Sequence, residues 1–151
     1  MKIFRKRYTD KIVCVIFLLS VLSGCGEISQ GMQRRKFEFL YKMNNYAALI
    51  RGFTNDVNSY KDLIFFESRM KQYYEDVNRM ETIDGYGTSR ILKEKFLETM
   101  DANIRTAETV RNKNFPPDYN VRKEYEIIIM NERIDKLTEE LNDEISKVGK
   151  E

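Results

Sequence analysis

Ile127, Met130, Ile134, Leu137, Leu141, Glu144 and Val148 recur at steps of three and four, and all but Glu144 are apolar. That spacing lays one stripe along an α-helix and is incompatible with a strand, whose alternate residues face opposite ways. So narrow a stripe is the seam of a helix packed on its neighbours at shallow, coiled-coil-like angles. It predicts a helix over about 119–147. The period also governs the preceding segment. Phe96, Met100, Ala107 and Val110, broadened by Ile91, Leu92, Leu97 and Ile104, predict a helix over about 88–112. Between the two, Asn114-Phe115-Pro116-Pro117-Asp118 is a stop: the residue before a proline is driven out of helical geometry, and Asp118 or Asn120 can cap the next helix. Asp84-Gly85-Tyr86-Gly87-Thr88-Ser89 reads as an interhelical turn with hydroxyl caps.

Residues from about 33 to 81 keep the rhythm through Met43, Tyr46, Ile50, Phe53, Val57, Tyr60, Ile64, Glu67, Met70, Tyr74 and Val77. Unbroken phase argues for one helix of about 70 Å at 1.5 Å per residue. Gly52 and Thr54-Asn55-Asp56 argue for a stop and a fresh cap, and uninterrupted helices of that length are uncommon outside coiled coils. Two architectures remain open, both all-α. One is an antiparallel bundle of three long helices. The other is a four-helix up-down bundle, if the first helix splits near Gly52.

The N-terminal stretch is of another kind. Lys2, Arg5, Lys6, Arg7 and Lys11 precede the apolar run Ile12-Val13-Cys14-Val15-Ile16-Phe17-Leu18-Leu19, and Leu22-Ser23-Gly24-Cys25 comes after it. A basic leader, a short apolar core and small residues at a cut site make a secretory signal. Residues 12–22 supply 11 apolar or small positions against the roughly 20 that a membrane span needs. With its terminal cysteine the segment resembles the lipobox of bacterial lipoproteins. The resemblance covers residues 1–25 and implies cleavage between Gly24 and Cys25, with a diacylglycerol on the Cys25 thiol. Buried methylenes contribute about 0.8 kcal/mol each, so two acyl chains would anchor a protein stably where one would not. The implied division is a removed signal at 1–24, a lipid-anchored tether at 25–33 and a helical domain at 34–151.

Removal of the leader reverses the charge. The whole chain carries 26 Lys and Arg against 24 Asp and Glu, but residues 1–24 hold five of the cations and one of the anions, so the mature net charge is −2. Nucleic-acid binding needs a basic footprint, which this composition lacks. Cys14 would leave with the signal and Cys25 would be acylated, so no thiol remains for a disulfide, a metal or a nucleophile. Histidine is absent, which removes the usual base near neutral pH and the commonest zinc ligand. No cofactor or metal is expected. The densest acidic group, Asp135, Glu139, Glu140, Asp143 and Glu144, is interleaved with Lys136 and Lys147 in the manner of a solvated helix face.

Two runs sweep around a helix rather than along one face: Leu63-Ile64-Phe65-Phe66 and Ile127-Ile128-Ile129-Met130. Either they touch several helices of the bundle or part of each is a docking surface. Phe65, Phe66, Tyr73, Tyr74, Tyr86 and Phe115 are the candidate interaction residues, aromatics being favoured at interface hot spots. Arg34-Arg35-Lys36, close behind the lipid, are suited to an anionic membrane surface. The expectation is a lipid-anchored protein on the extracytoplasmic face of the cell membrane. It would act by binding an envelope protein, with a homo-oligomer as a further state. Exclusion, immunity and accessory roles in secretion or transfer machinery suit that size and anchoring by analogy. A small ligand-binding lipoprotein and a carboxylate-based wall hydrolase are the alternatives.

Overall fold

The computed structural model describes residues 30–116 and 118–150. Among these, all regular structure is helical: α1 (residues 30–55), α2 (Tyr60–Arg79), α3 (Gly87–Arg111) and α4 (Tyr125–Val148), with one 3-10 turn, Val121–Lys123, leading into α4. Lys36–Glu151 forms one compact unit, a helical bundle; a second unit extends to Arg35, and of it residues 30–35 are described and are helical. The signal segment 1–24, the Gly24–Cys25 junction and tether residues 25–29 lie outside the described residues. Among the described residues no helix is long and apolar enough to cross a membrane.

The long N-terminal stripe is interrupted, but not at Gly52. Gly52 is helical, and the break falls at 56–59. The cause is local hydrogen bonding. The Asp56 N–H closes α1 by donating to the carbonyls of Gly52 at 3.1 Å and Phe53 at 3.2 Å. Ser59 then starts α2 with a reciprocal capping box: its Oγ accepts from the Asp62 N–H, and Asp62 Oδ2 accepts from the Ser59 N–H at 2.8 Å. Thr54, expected among the new caps, instead stays inside α1 and donates its hydroxyl to the Ile50 carbonyl at 2.8 Å. The four-residue connection also shifts the stripe. Ile64 is exposed and Tyr60 and Tyr74 are only partly buried, while α2 buries Leu63, Phe66, Glu67, Met70 and Val77.

The later helices keep close to their sequence pattern. On α4, Ile127, Met130, Ile134, Leu137, Leu141 and Val148 are all buried. Glu144, the one polar member of that seam, accepts a hydrogen bond from Tyr86 Oη at 2.7 Å, so the stripe continues through a satisfied polar pair. On α3 the buried stripe includes Phe96, Met100, Ala107 and Val110, and also Asn103. Asn103 is admitted because Nδ2 donates to the Met130 carbonyl at 3.2 Å and Oδ1 accepts from Arg133 at 3.3 Å.

Cross-helix contacts give the chain directions. Tyr46 meets Tyr73 and Phe53 meets Phe65 between α1 and α2. Lys93 Nζ donates to the Asn78 and Met80 carbonyls near one end of the α2–α3 pair, and Lys71 meets Glu108 near the other. Lys95–Glu140 and Lys113–Glu126 bracket the α3–α4 pair, and Arg51–Asp135 at 2.8 Å joins α1 to α4. In each successive pair one number rises as the other falls, so neighbours in sequence run antiparallel. The Val121 N–H donates to the Asn58 carbonyl at 3.0 Å, tying the α3–α4 connection to the α1–α2 connection. Of the two expected caps after the prolines, Asn120 acts, accepting from the Arg122 N–H in front of the 3-10 turn. Gly85 takes φ 79°, a left-handed turn conformation that a Cβ would strain.

Candidate functional site

The six aromatic candidates do not form one surface. Phe66 is 1% exposed and Tyr86 is 8% exposed; both are core. Tyr86 sits ahead of α3 under the Lys36 ammonium, 5.2 Å from its ring centre, and donates to Glu144. Phe115 stacks on Tyr119 at 4.2 Å and 11° in the α3–α4 connection, a partly buried pair of its own. Tyr74 lies with Leu97 and Glu98 along the α2–α3 side, whereas its neighbour Tyr73 touches α1. Only Phe65 and Tyr73 share a surface.

That surface continues onto residues whose spacing alone assigns them to the core stripe. Phe53 packs edge-on against Phe65 at 6.0 Å and tilted against Tyr73 at 6.1 Å, and Tyr73 meets Tyr46 at 5.6 Å. The four rings form a chain along the α1–α2 seam. Phe65 is 52% exposed, and Leu49, four residues before Phe53 and so on the same side of α1, is 48% exposed. The geometry comes from helix spacing. Tyr46 and Phe53 are seven apart on α1, and Phe65 and Tyr73 are eight apart on α2, so each pair lies on one flank and the antiparallel helices bring the flanks together. The i, i+7 recurrence of rings at 46 and 53 is the signal in the sequence. It merges with the core stripe because Ile50 and Val57 share nearly the same phase.

Polar groups frame the rings. Arg69 lies over the Phe65 face, 5.2 Å from its centre, and donates to Gln72 Oε1 at 3.2 Å, holding the guanidinium beside the seam. Partial burial pushes the Tyr46 hydroxyl above its ordinary value, and the Asp76 carboxylate and Tyr73 push it further in the same direction. Tyr46 is therefore a neutral donor and acceptor at physiological pH. The result is an apolar centre with one cation and one anion at its margin, the composition of a protein-recognition surface.

The acidic cluster of α4 is largely engaged in ties between helices. Asp135 pairs with Arg51, Glu140 with Lys95, and Glu144 with Tyr86 and Lys147. A buried carboxylate lies between α2 and α3. There Glu67, 8% exposed, meets Lys71 at 2.6 Å and Arg111 at 3.0 Å. Its Oε2 forms an ion pair with Arg111 without meeting the angular requirement of a hydrogen bond. Among the described residues no group of three or more Cys, Asp or Glu is placed to hold a metal ion.

Comparison with protein-family models, with curated proteins and with solved structures finds no match to this chain.

Proposed function

We propose that this protein is a lipid-anchored component of the cell envelope that acts as a non-catalytic protein-interaction module. Cys25 carries the diacylglycerol at the extracytoplasmic face of the membrane, and the four helices form one up-down bundle. The observation that carries the reading is the aromatic seam in which exposed Phe65, with exposed Leu49 nearby, continues into the partly buried rings of Phe53, Tyr73 and Tyr46. A half-exposed ring such as Phe65, already held by partly buried neighbours, loses little freedom when a partner covers it, which favours binding. The occupant is a second envelope protein presenting an apolar surface to the seam, with a carboxylate able to meet Arg69.

Two measurements test this. Cys25→Ser should abolish lipid labelling and move the chain from membrane pellets to the soluble fraction; unchanged labelling and pelleting would refute the anchor. A photocrosslinking side chain placed at Leu49 in intact cells should yield one discrete adduct, lost on Phe65→Ala, while the same group at Ile91, similarly exposed on α3, yields none. Equal background from both positions refutes the seam as the binding surface. An adduct of twice the chain mass would replace the envelope partner with a second copy.

A further inference from the structure

Arg133 has no carboxylate partner within ion-pair distance among the described residues. Its Nη1 instead donates to three neutral oxygens of α3: Thr106 Oγ1 at 3.0 Å, Asn103 Oδ1 at 3.3 Å and the Ala102 carbonyl at 3.4 Å. The Nε and Nη2 groups carry no intramolecular bond among the described residues. The side chain is partly buried and lines an open groove of about 430 Å³ between α3 and α4, together with Asp101, Arg105, Thr106 and Thr109. Asp101 and Arg105 are paired with each other, so the charge left uncompensated in the groove is that of Arg133. An adjoining groove of about 240 Å³ shares Arg133 and adds Lys95, Lys136, Glu98 and Glu140, of which Lys95 and Glu140 are paired with each other.

A guanidinium fixed through one nitrogen by neutral acceptors keeps its full charge and a free planar fork. That fork matches the paired oxygens of a carboxylate or phosphate, and immobilising it beforehand lowers the entropy lost on binding. The threonines are not competing donors, because Thr106 Oγ1 donates to the Ala102 carbonyl and Thr109 Oγ1 to the Arg105 carbonyl. We infer that Arg133 anchors a binding site for an oxyanion, a carboxylate or phosphate group of a small ligand, in the α3–α4 groove. The site is separate from the aromatic seam and does not depend on the reading of that seam.

The test uses the full chain in neutral detergent, labelled with nitrogen-15, with the Arg133 Nε–H resonance assigned by its loss in Arg133→Lys. Inorganic phosphate and acetate are titrated separately, with chloride at matched ionic strength as the control. A saturable shift of that resonance with roughly millimolar affinity is expected. Saturation by phosphate alone assigns a phosphate-bearing ligand, and saturation by acetate assigns a carboxylate. By calorimetry Arg133→Met should weaken binding at least about tenfold. Arg133→Lys should weaken acetate binding more than phosphate binding, because the ammonium keeps the charge and loses the fork. Shifts that stay linear and match chloride for both anions overturn the inference, and so does unchanged affinity in Arg133→Met. The wild-type titration decides the matter even if a variant misfolds.

Discussion

Phe65 and Phe66 are adjacent, identical in chemistry and set by α2 on opposite sides of the bundle surface, so they make a sensitive test of its register. Phe66 is 1% exposed and truncation to alanine should cost about 3–5 kcal/mol, the lost transfer energy plus that of the cavity left behind. Phe65 is 52% exposed and has two contacts to lose. The edge contact with Phe53 at 6.0 Å contributes about 0.5–1.5 kcal/mol and the Arg69 contact about 0.5–1 kcal/mol at an exposed site. Alanine returns about 0.5 kcal/mol through its better helix propensity. The net loss for Phe65→Ala is about 0.5–2 kcal/mol, at least about 1 kcal/mol less than for Phe66→Ala. Urea unfolding of the full chain in neutral detergent, followed by circular dichroism, measures both; the midpoints should separate while the slopes stay alike. Function should invert the order: Phe65→Ala abolishes crosslinking from Leu49 with the fold intact. Equal destabilisation by the two variants, or a larger loss for Phe65→Ala, would mean that α2 is rotated from the position described and that the aromatic seam does not exist.

Gly52 lies inside α1 with no atom within 4 Å of where a Cβ would stand, so Gly52→Ala should stabilise the protein by about 0.5–1 kcal/mol; destabilisation would place a helix break there after all. Ser59→Ala removes one half of the capping box and should cost about 1 kcal/mol by the same unfolding assay, whereas Thr54→Ser, which keeps the bond to Ile50, should cost less. Glu124 and Glu126 are both held below the ordinary carboxyl value of 4.5, chiefly by bonds from the Lys113 ammonium, with the Tyr119 hydroxyl also acting on Glu124. A lowered native value means that their contribution is complete above the ordinary value and is lost as pH falls through the native one. Lys113→Met should therefore flatten the acid limb of the urea midpoint between about pH 6 and about pH 3. An unchanged acid limb would show that this cluster is not coupled to folding.

The helices were legible wherever one stripe faced one core. The α4 seam and the α3 stripe of Phe96, Met100, Ala107 and Val110 survive into the structure, because a period of 3.6 leaves little choice about which side is buried. Of the residues expected to broaden the α3 stripe, Leu92 and Ile104 are buried, Leu97 is partly buried and Ile91 is exposed. A break close to Gly52 is legible, but its exact place is not, for a specific reason: a four-residue connection at 56–59 preserves an apparent 3/4 rhythm while shifting part of the next stripe. Tyr60 and Ile64 then look like core, and Leu63 and Phe66 take their place. What decided the matter was the reciprocal pair Ser59 and Asp62, a capping signature three residues apart that was present in the sequence but outweighed by Gly52. The burial of Asn103 is not legible in the sequence, because a buried amide is readable only when its partners, the Met130 carbonyl and Arg133, are known to lie opposite.

The surface candidates divide by the same logic. Sequence identifies which residues are aromatic, whereas interaction requires rings that are exposed and also held in place. Phe66 and Tyr86 fail the first condition because their side chains are taken up by the core, and Tyr46 and Phe53 were hidden because they sit at the edge of the α1 core stripe. An edge position is where a binding residue in a helical bundle can be ordered at little cost: one side of the ring packs on the neighbouring helix while the other meets solvent. The energetic consequence is separation of duties. The core stripes carry the fold at several kcal/mol per residue, while the seam contributes about 1 kcal/mol per ring and is free to change with the partner. Leu49 provides the discriminating case. It lies beside the seam with no ring partner, so Leu49→Ser should leave unfolding unaltered to within about 0.5 kcal/mol while weakening partner binding. A substantial loss of stability there would mean that fold and recognition share the same contacts.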